Sequence, residues 1–419
     1  VIEEVPQTWQ IANLGKIAKE FISGGTPSTS EAKFWDGDIP WTTSAPISDT
    51  DIFLDRGQRF ITSEGLKKSA SHLVPEGNLL VGTRVGVGKA VVNSIDIAIS
   101  QDLTGIILDS SVIPAFIAYQ FKTHRVGSFF LGRKRGTTIK GIARLDLQAL
   151  PLWIPLMRKE QEAIIQALRA MQEAREARQR EAALERERKT ALMDYLFSHG
   201  TQGEPRKQTE IGEIPNSWQA ARLGELSKVR YGLGQPPQLD DNGVPMIRAT
   251  DIKNGKIISH GVLKVKNEAI PKSRSPFLKK GDILVVRSGA YTGDVAMYDG
   301  RWDQAIAGYD LVVSPDKEFN SAFLAQYLLG ERAQRYFKSQ RDRSAQPHLN
   351  SEQLGNTLIP LPPHSEQKDI AKALIACDTK IATLEREAAL LEELFRAMLE
   401  ELMTGRLAAL ALVEGEVKA

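Results

Sequence analysis

Cysteine is almost missing from this chain. Cys377 is the only one in 419 residues, which excludes an internal disulfide and fits a reducing compartment. One thiol cannot build a zinc knuckle, and His72, His124, His199, His260, His348 and His364 are scattered without ligand spacing. No apolar run approaches the roughly 20 residues that span a bilayer. Nothing at the start reads as a signal peptide, so a cytoplasmic location is expected. Charge of one sign is scarce as well. The 54 basic and 52 acidic residues leave a formal +2, too little for the total alone to mark a nucleic-acid binder.

Enzyme motifs are missing in the same way. Gly82-Thr-Arg-Val-Gly-Val-Gly88-Lys89-Ala90 superficially resembles a phosphate loop. Its spacing is one residue too long, and Ala90 stands where Ser or Thr must hold magnesium. There is no Gly-x-Ser-x-Gly elbow and no His-Glu-x-x-His. Gln235-Pro236-Pro237-Gln238 has the prolines of an amino-methyltransferase tetrapeptide but neither its Asn/Asp nor its aromatic residue. No catalytic residue, bound cofactor or metal is therefore expected in this chain.

What the chain does contain is a duplication. Pro6-x-x-Trp9 with Leu14-Gly15 recurs as Pro215-x-x-Trp218 with Leu223-Gly224, and Arg180–Leu184 recurs as Arg386–Leu390. The shifts are 209 and 206 residues, far longer than a solenoid unit. Each copy runs from a mixed segment into a charged segment free of Gly and Pro. The length exceeds one ordinary core, and the order predicts an α+β fold with an internal pseudo-twofold repeat. The expected boundaries are a first strand-rich domain at 1–157 and a central helix at 158–200. A flexible linker at 201–213, a second domain at 214–363, a C-terminal helix at 364–405 and a tail at 406–419 follow. Strands are expected at Asn78–Gly82, Asp282–Val286 and Asp310–Ser314, and helical stretches at Pro114–Leu131 and Ser321–Gln340. Trp9 and Trp218 are read as core anchors and Cys377 as inert packing.

The second helix carries a seam of Ile370, Leu374, Cys377, Ile381, Leu384, Ala388, Leu391, Phe395, Met398 and Leu402. Alternating steps of four and three are the coiled-coil period. A helix of about 40 residues spans about 60 Å, and its narrow stripe needs a partner, for which the other copy is the nearest candidate. On the first helix the same positions read Ile164, Leu168, Met171, then Arg175, Arg178, Ala182, Glu185, Lys189, then Leu192 and Leu196. Three readings of this polar middle stand open: looser packing at the centre, a face for another protein, or a solvated face.

A basic stretch offers the positive chemistry. Ser110–Leu145 has no acidic residue before Leu145 and centres on the loop Gly132–Gly141. Lys338–His348 occupies the matching place in the second copy. Cations neutralise phosphates, Thr hydroxyls bond phosphates or base edges, and Arg and Gln pair with guanine and adenine. Candidate DNA contacts in the first copy are Thr26, Thr42, Thr43, Arg84, Lys89, Arg133, Lys134, Arg135, Thr137, Thr138 and Lys140. Those in the second are Gln235, Arg248, Arg287, Tyr291, Arg341, Arg343, Ser344, Gln346 and His348. Two pairings are expected between the copies: Gly25-Thr26-Pro27 with Gly234-Gln235-Pro236, and Arg84-Val85-Gly86 with Arg287-Ser288-Gly289. Loops alike in charge and unlike in polar side chains suit two readers of different short sequences.

Taken in order, Pro6–Trp9, Ser23–Ser28, Phe34–Trp41, Gly136–Gly141, Ile214–Trp218, Ser344–Asn350, Ile359–Pro363 and the doublets Glu160-Gln161 and Glu366-Gln367 form a pattern over nearly the whole chain. The pattern resembles the specificity subunit of type I restriction-modification systems. That resemblance implies two target-recognition domains joined by two long antiparallel helices, each domain reading half of an asymmetric, split DNA site. It further implies a non-catalytic role. S-adenosylmethionine, ATP and magnesium would sit on partner modification and restriction subunits. Gln235-Pro236-Pro237 departs from the family's Thr-Pro-Ser. Rival readings are a stand-alone two-headed DNA-binding regulator, a coiled-coil adaptor and an enzyme of unrecognised motif.

Overall fold

The apolar runs form two-faced strands in the computed structural model, which describes residues 5–133, 141–234, 238–271, 276–341 and 348–408. Two units emerge, one from 1–178 with 386–419 and one from 179–385. In unit 1 a five-stranded sheet has the order β2 (Ala18–Ser23), β10 (Leu103–Leu108), β7 (Leu79–Gly82), β8 (Ala90–Asn93), β4 (Phe53–Leu54). A second sheet has the order β5 (Arg59–Ile61), β3 (Trp35–Thr42), β9 (Ile97–Ile99), β6 (His72–Val74), with β3 and β9 parallel. β1 (Trp9–Asn13) pairs with β11 (Pro151–Pro155). Successive strand side chains point to opposite faces. Leu79, Val81, Ala90 and Val92 therefore enter a core with helices α1 (Pro114–Gln120) and α2 (His124–Leu131), and Leu80 and Val91 enter a smaller core on the other face. Burial on both faces explains why these runs are continuously apolar.

Unit 2 repeats the plan. β12 (Arg206–Thr209) and β13 (Gly212–Pro215) form an added hairpin, and β14 (Gln219–Arg222) pairs with β24 (Leu358–Leu361). The larger sheet runs β15 (Ser227–Tyr231), β23 (Leu311–Pro315), β20 (Ile283–Val285), β21 (Val295–Met297). The smaller runs β19 (Leu263–Val265), β16 (Leu239–Ile247), β22 (Ile306–Ala307), and β17 (Ile252–Lys253) pairs with β18 (Lys256–Ile257). Helices α3 (Ser321–Leu329) and α4 (Glu331–Arg341) cover the larger sheet, whose inner residues again alternate between two cores. The expected strands thus form. Each expected helical stretch divides in two, unit 1 breaking at the N-cap Thr123 and unit 2 at Gly330. The expected flexible linker is corrected in part: Arg206–Pro215 is paired backbone, with the Lys207 ammonium closing it on the Asn216 carbonyl at 2.8 Å.

The long helices run Arg158–His199 and His364–Met403, and each gives one half to either unit. Their first residues lock the units. In unit 1 the Trp9 indole donates to Glu160 at 2.9 Å, and Gln161 accepts from the Ile113 N–H at the start of α1 while donating to the Pro155 carbonyl. In unit 2 the buried Glu366 accepts from the Trp218 indole at 2.8 Å and from the Thr201 N–H. Gln367 meets the Asn320 N–H and the Pro362 carbonyl in the same way. Both tryptophans are buried, as core anchors should be. At their far ends the helices stop at Gly200 and Gly405, both left-handed (φ 64° and 69°). Gly200 packs on Pro215 and Trp218, Gly405 on Pro6 and Trp9.

The polar middle of the first helix is an ion-pair ladder. In unit 1 Arg175 meets Glu392, and Arg178 meets Glu387 at 3.2 Å. In unit 2 Glu185 meets Lys380 at 3.3 Å, Lys189 meets Asp378 at 2.7 Å, and Arg186 meets Glu385. From Arg175 to Arg178 the partner moves from Glu392 back to Glu387, and from Arg186 to Lys189 from Glu385 back to Asp378, so the helices are antiparallel in each unit. None of the three open readings describes this, since the polar residues are ion-pair partners of the second helix. On the second helix Ile370 and Leu374 join the unit 2 core and Phe395 and Leu402 the unit 1 core, and Ile381 and Leu384 are also buried within unit 2. Leu391 and Met398 are only half-buried, and Leu399 is buried instead.

Replacing Glu366 with Ala strands a buried indole N–H and the Thr201 N–H, a loss of roughly 1–3 kcal/mol. Hydrogen exchange should show lowered protection across unit 2 with unit 1 unchanged; equal loss in both units would contradict the lock.

Candidate nucleic-acid interface

Apart from Thr42 and Arg341, the described candidate contacts of each unit lie at one end of its sheets. In unit 1 the strands β2, β3, β7 and β9 end there, and the turns that follow carry Thr26, Thr43, Arg84 and Lys89. The Thr26 hydroxyl donates to Gln101 at 2.6 Å and the Thr43 hydroxyl to Gln58 at 2.8 Å. The Lys89 ammonium donates to the Ile47 carbonyl at 2.6 Å, whereas Arg84 is exposed. Arg133, also exposed, lies over the Phe129 ring at 3.9 Å. Gly141 returns beside Arg84, and the Ile142 N–H bonds the Thr83 carbonyl. The roots of the basic loop are therefore part of this end. Lys134, Arg135, Thr137, Thr138 and Lys140 lie outside the described residues.

Thr42 is a correction. It is fully buried, its hydroxyl bonds the Thr43 carbonyl, and it sits on β3 where Ile247 sits on β16. Strand parity points it into the core, so it is not a contact residue.

In unit 2 the corresponding end carries Arg248, Arg287, Tyr291 and His348. Both carboxylate oxygens of Asp251 grip the Arg248 guanidinium, at 2.9 and 3.0 Å. Those bonds raise the arginine's already high pKa despite its partial burial. Arg287 lies over the Tyr231 ring at 5.0 Å, and Tyr231 accepts from the Ser351 N–H at 3.2 Å. Tyr291 is exposed, and His348 bridges to Ser288. Gln235, Arg343, Ser344 and Gln346 lie outside the described residues, and Arg341 is described only as the end of α4.

Backbone bonds correct both expected pairings of turns. The Gly25 N–H meets the Ile99 carbonyl as the Leu233 N–H meets that of Ala307, which sets Thr26 against Gly234 rather than Gln235. The Thr83 carbonyl accepts from Ile142 as that of Arg287 accepts from Leu349. Arg287 thus stands at the place of Thr83, and Arg84 at that of Ser288. The turn after β20 is also one residue longer, since Val81 pairs with Ala90 but Val285 with Val295.

Lys122 belongs to the basic stretch of the sequence without being a candidate contact, and Tyr231 and Asp310 escaped the sequence reading. Lys122 closes an apolar helix and donates to the Asp49 carbonyl at 2.7 Å. Burial pulls its pKa down to about 8, with Asp51 and Asp49 partly opposing. Tyr231 stands where unit 1 has Ser23. Asp310 lies beneath Arg287, accepting its backbone N–H at 3.2 Å. Burial holds its carboxyl up at about 6, only partly offset by Arg287. Guanidinium and ammonium donors beside hydroxyls suit phosphate oxygens and base-edge acceptors. Among the described residues no group of His, Cys, Asp or Glu could hold a metal ion, and no helix is long and apolar enough to cross a membrane.

Comparison with known proteins agrees with this layout. The model of the type I restriction modification DNA specificity domain matches twice, at residues 6–186 and 215–393. The specificity subunit of the type I restriction enzyme MjaIX from Methanocaldococcus jannaschii is 22% identical, over 97% of this chain and 95% of its own. That of MjaVIII, from the same organism, is 23% identical over 96% and 94%. The crystal structure of a type I restriction-modification S subunit from M. genitalium shares the fold, with a TM-score of 0.59 at 15% identity over 94% of this chain and 96% of that one.

Asp310 gives a pH test. Folded, its carboxyl keeps its proton up to about 6 against an ordinary 3.8. The folded state thus binds more protons in that interval, and unit 2 loses stability as pH rises through it. Asp310→Asn should abolish this slope and leave unit 2 more stable than wild type above about pH 6, measured as the difference between their unfolding midpoints across pH; parallel curves would refute the assignment.

Proposed function

The chain belongs to the family of type I restriction-modification DNA specificity proteins, and from that premise we propose that it reads an asymmetric DNA site in two parts, one with each unit. The observation that carries this reading is one fold used twice with different side chains at the same end. Thr43 stands where the other unit has Arg248, Thr83 where it has Arg287, and Lys89 where it has Asp294. Identical readers related by a twofold would select a palindrome; unlike ones select unlike halves.

The paired helices set the unread gap between the halves and dock two modification subunits. Leu184, Leu390 and Leu394, which are 64, 52 and 48% exposed on helices otherwise rich in charge, suit such contacts. Adenine methylation with S-adenosylmethionine, and ATP- and magnesium-dependent restriction, belong to those partner subunits, in the cytoplasm. The chain alone has little net charge, so it binds DNA weakly and with strong salt dependence.

The test is the methylated-adenine motif of the host genome. Exchanging residues 1–157 for those of another family member should change one half of the motif and keep the other half and the spacing. A palindromic motif, or a change in both halves, would overturn the reading.

A further inference from the structure

One cleft of unit 1 has a side chain, Gln334, at its counterpart position in unit 2. It lies between the β7–β8 turn and the start of α2, encloses about 690 Å3, and is bordered by Arg84, Lys89, Lys122 and His124. Gly127 leaves it open, since a Cβ there would meet nothing within 4 Å. The counterpart of each residue follows from packing. Gly88 faces Phe130 as Gly293 faces Phe337, so Gly127, three residues before its phenylalanine, corresponds to Gln334. Gln334 fills the space, donating to the carbonyls of Gly293 at 2.8 Å and Leu328 at 2.7 Å. In the same register Lys122 becomes Leu329 and His124 becomes Glu331. The turn ladders set Lys89 against Asp294, since the Gly82 N–H bonds the Lys89 carbonyl as the Val286 N–H bonds that of Asp294. Three basic positions in one copy are thus apolar or acidic in the other.

The cations of the open cleft are fixed but not neutralised. Backbone carbonyls of Ile47 and Asp49 hold the Lys89 and Lys122 ammoniums at 2.6 and 2.7 Å. An ammonium carries three donors, and each of these bonds uses one. Two carboxylates lie near Lys122: Asp51 accepts from the Ser48 N–H at 2.8 Å, and Asp49 is exposed to water. Burial lowers the Lys122 pKa, and the like charge of Lys89 adds to that shift. An anion between the two ammoniums would relieve both effects.

We propose that this cleft seats one backbone phosphate of the DNA on Lys89 and Lys122, with Arg84 at its rim, and that unit 1 alone carries this anchor. The proposal rests on the DNA-reading function above and adds a division of labour to it. Unit 1 supplies a sequence-independent grip that unit 2 lacks.

The salt dependence of DNA binding tests it. With the full chain and a mixed-sequence duplex, log affinity should fall with log salt at about 0.9 per neutralised phosphate. The double variant Lys89→Ala, Lys122→Ala should flatten that slope by about 1. Gly127→Gln copies the plug of unit 2, keeps both charges and favours the helix, and it should flatten the slope in the same direction. Thermal melts identify any variant that has not folded, and Gly127→Gln then decides alone. An unchanged slope in the folded variants overturns the anchor and leaves the DNA-reading function standing. A wild-type chain without DNA affinity at low salt overturns both. Calorimetry with inorganic phosphate covers the other source of this ligand chemistry: phosphate uptake abolished by Gly127→Gln, with the DNA slope intact, would make the cleft a free-anion site and refute the assignment to DNA.

Discussion

A carboxylate at the foot of each long helix ties strand, helix and sheet together. Glu160 and Glu366 each accept an indole N–H from a tryptophan roughly 150 residues away in sequence, and the following glutamine binds the start of a core helix that precedes it in the chain. Glu366 is buried, and a buried charge without such donors would cost several kcal/mol, so in unit 2 the lock forms only when both of its parts have folded. It also fixes the direction in which each long helix leaves its core. The ion pairs along the helices inherit their placement from that direction.

Much of this plan was legible in the residues. The long repeat marked two units of one fold, and the absence of Gly and Pro marked the helices. Pro-x-x-Trp and Glu-Gln were visible as paired marks, but nothing in their spacing tells that they touch, because the chain between them is free to vary. The polar middle of the first helix was undecidable for a related reason. Arg175 and Lys189 find their carboxylates 217 and 189 residues away, and periodicity carries no information about such partners.

The errors at the sheet ends share one cause. A strand's side-chain parity and a turn's length decide which residue faces out, and a single-residue change reverses the outcome. Thr42 reads as a polar tip residue but lies one step inside the strand. Arg84 and Arg287 look equivalent because each precedes a glycine turn, yet the backbone bonds place them one position apart. In the sequence Lys122 is only one more cation of the basic stretch, because nothing there shows which cations share a cleft. Its position over the turn of β7 and β8 is what gives it a role.

The two glycines that end the long helices have a consequence for connectivity. Gly200 packs against Pro215 and Trp218, with the hairpin chain joining them, whereas Gly405 packs against Pro6 and Trp9 with no peptide between. The same non-covalent joint therefore occurs once bridged and once open. Cutting the bridged joint and bridging the open one would leave the core contacts of each unit in place, so neither unit's fold depends on which of the two joints the chain crosses.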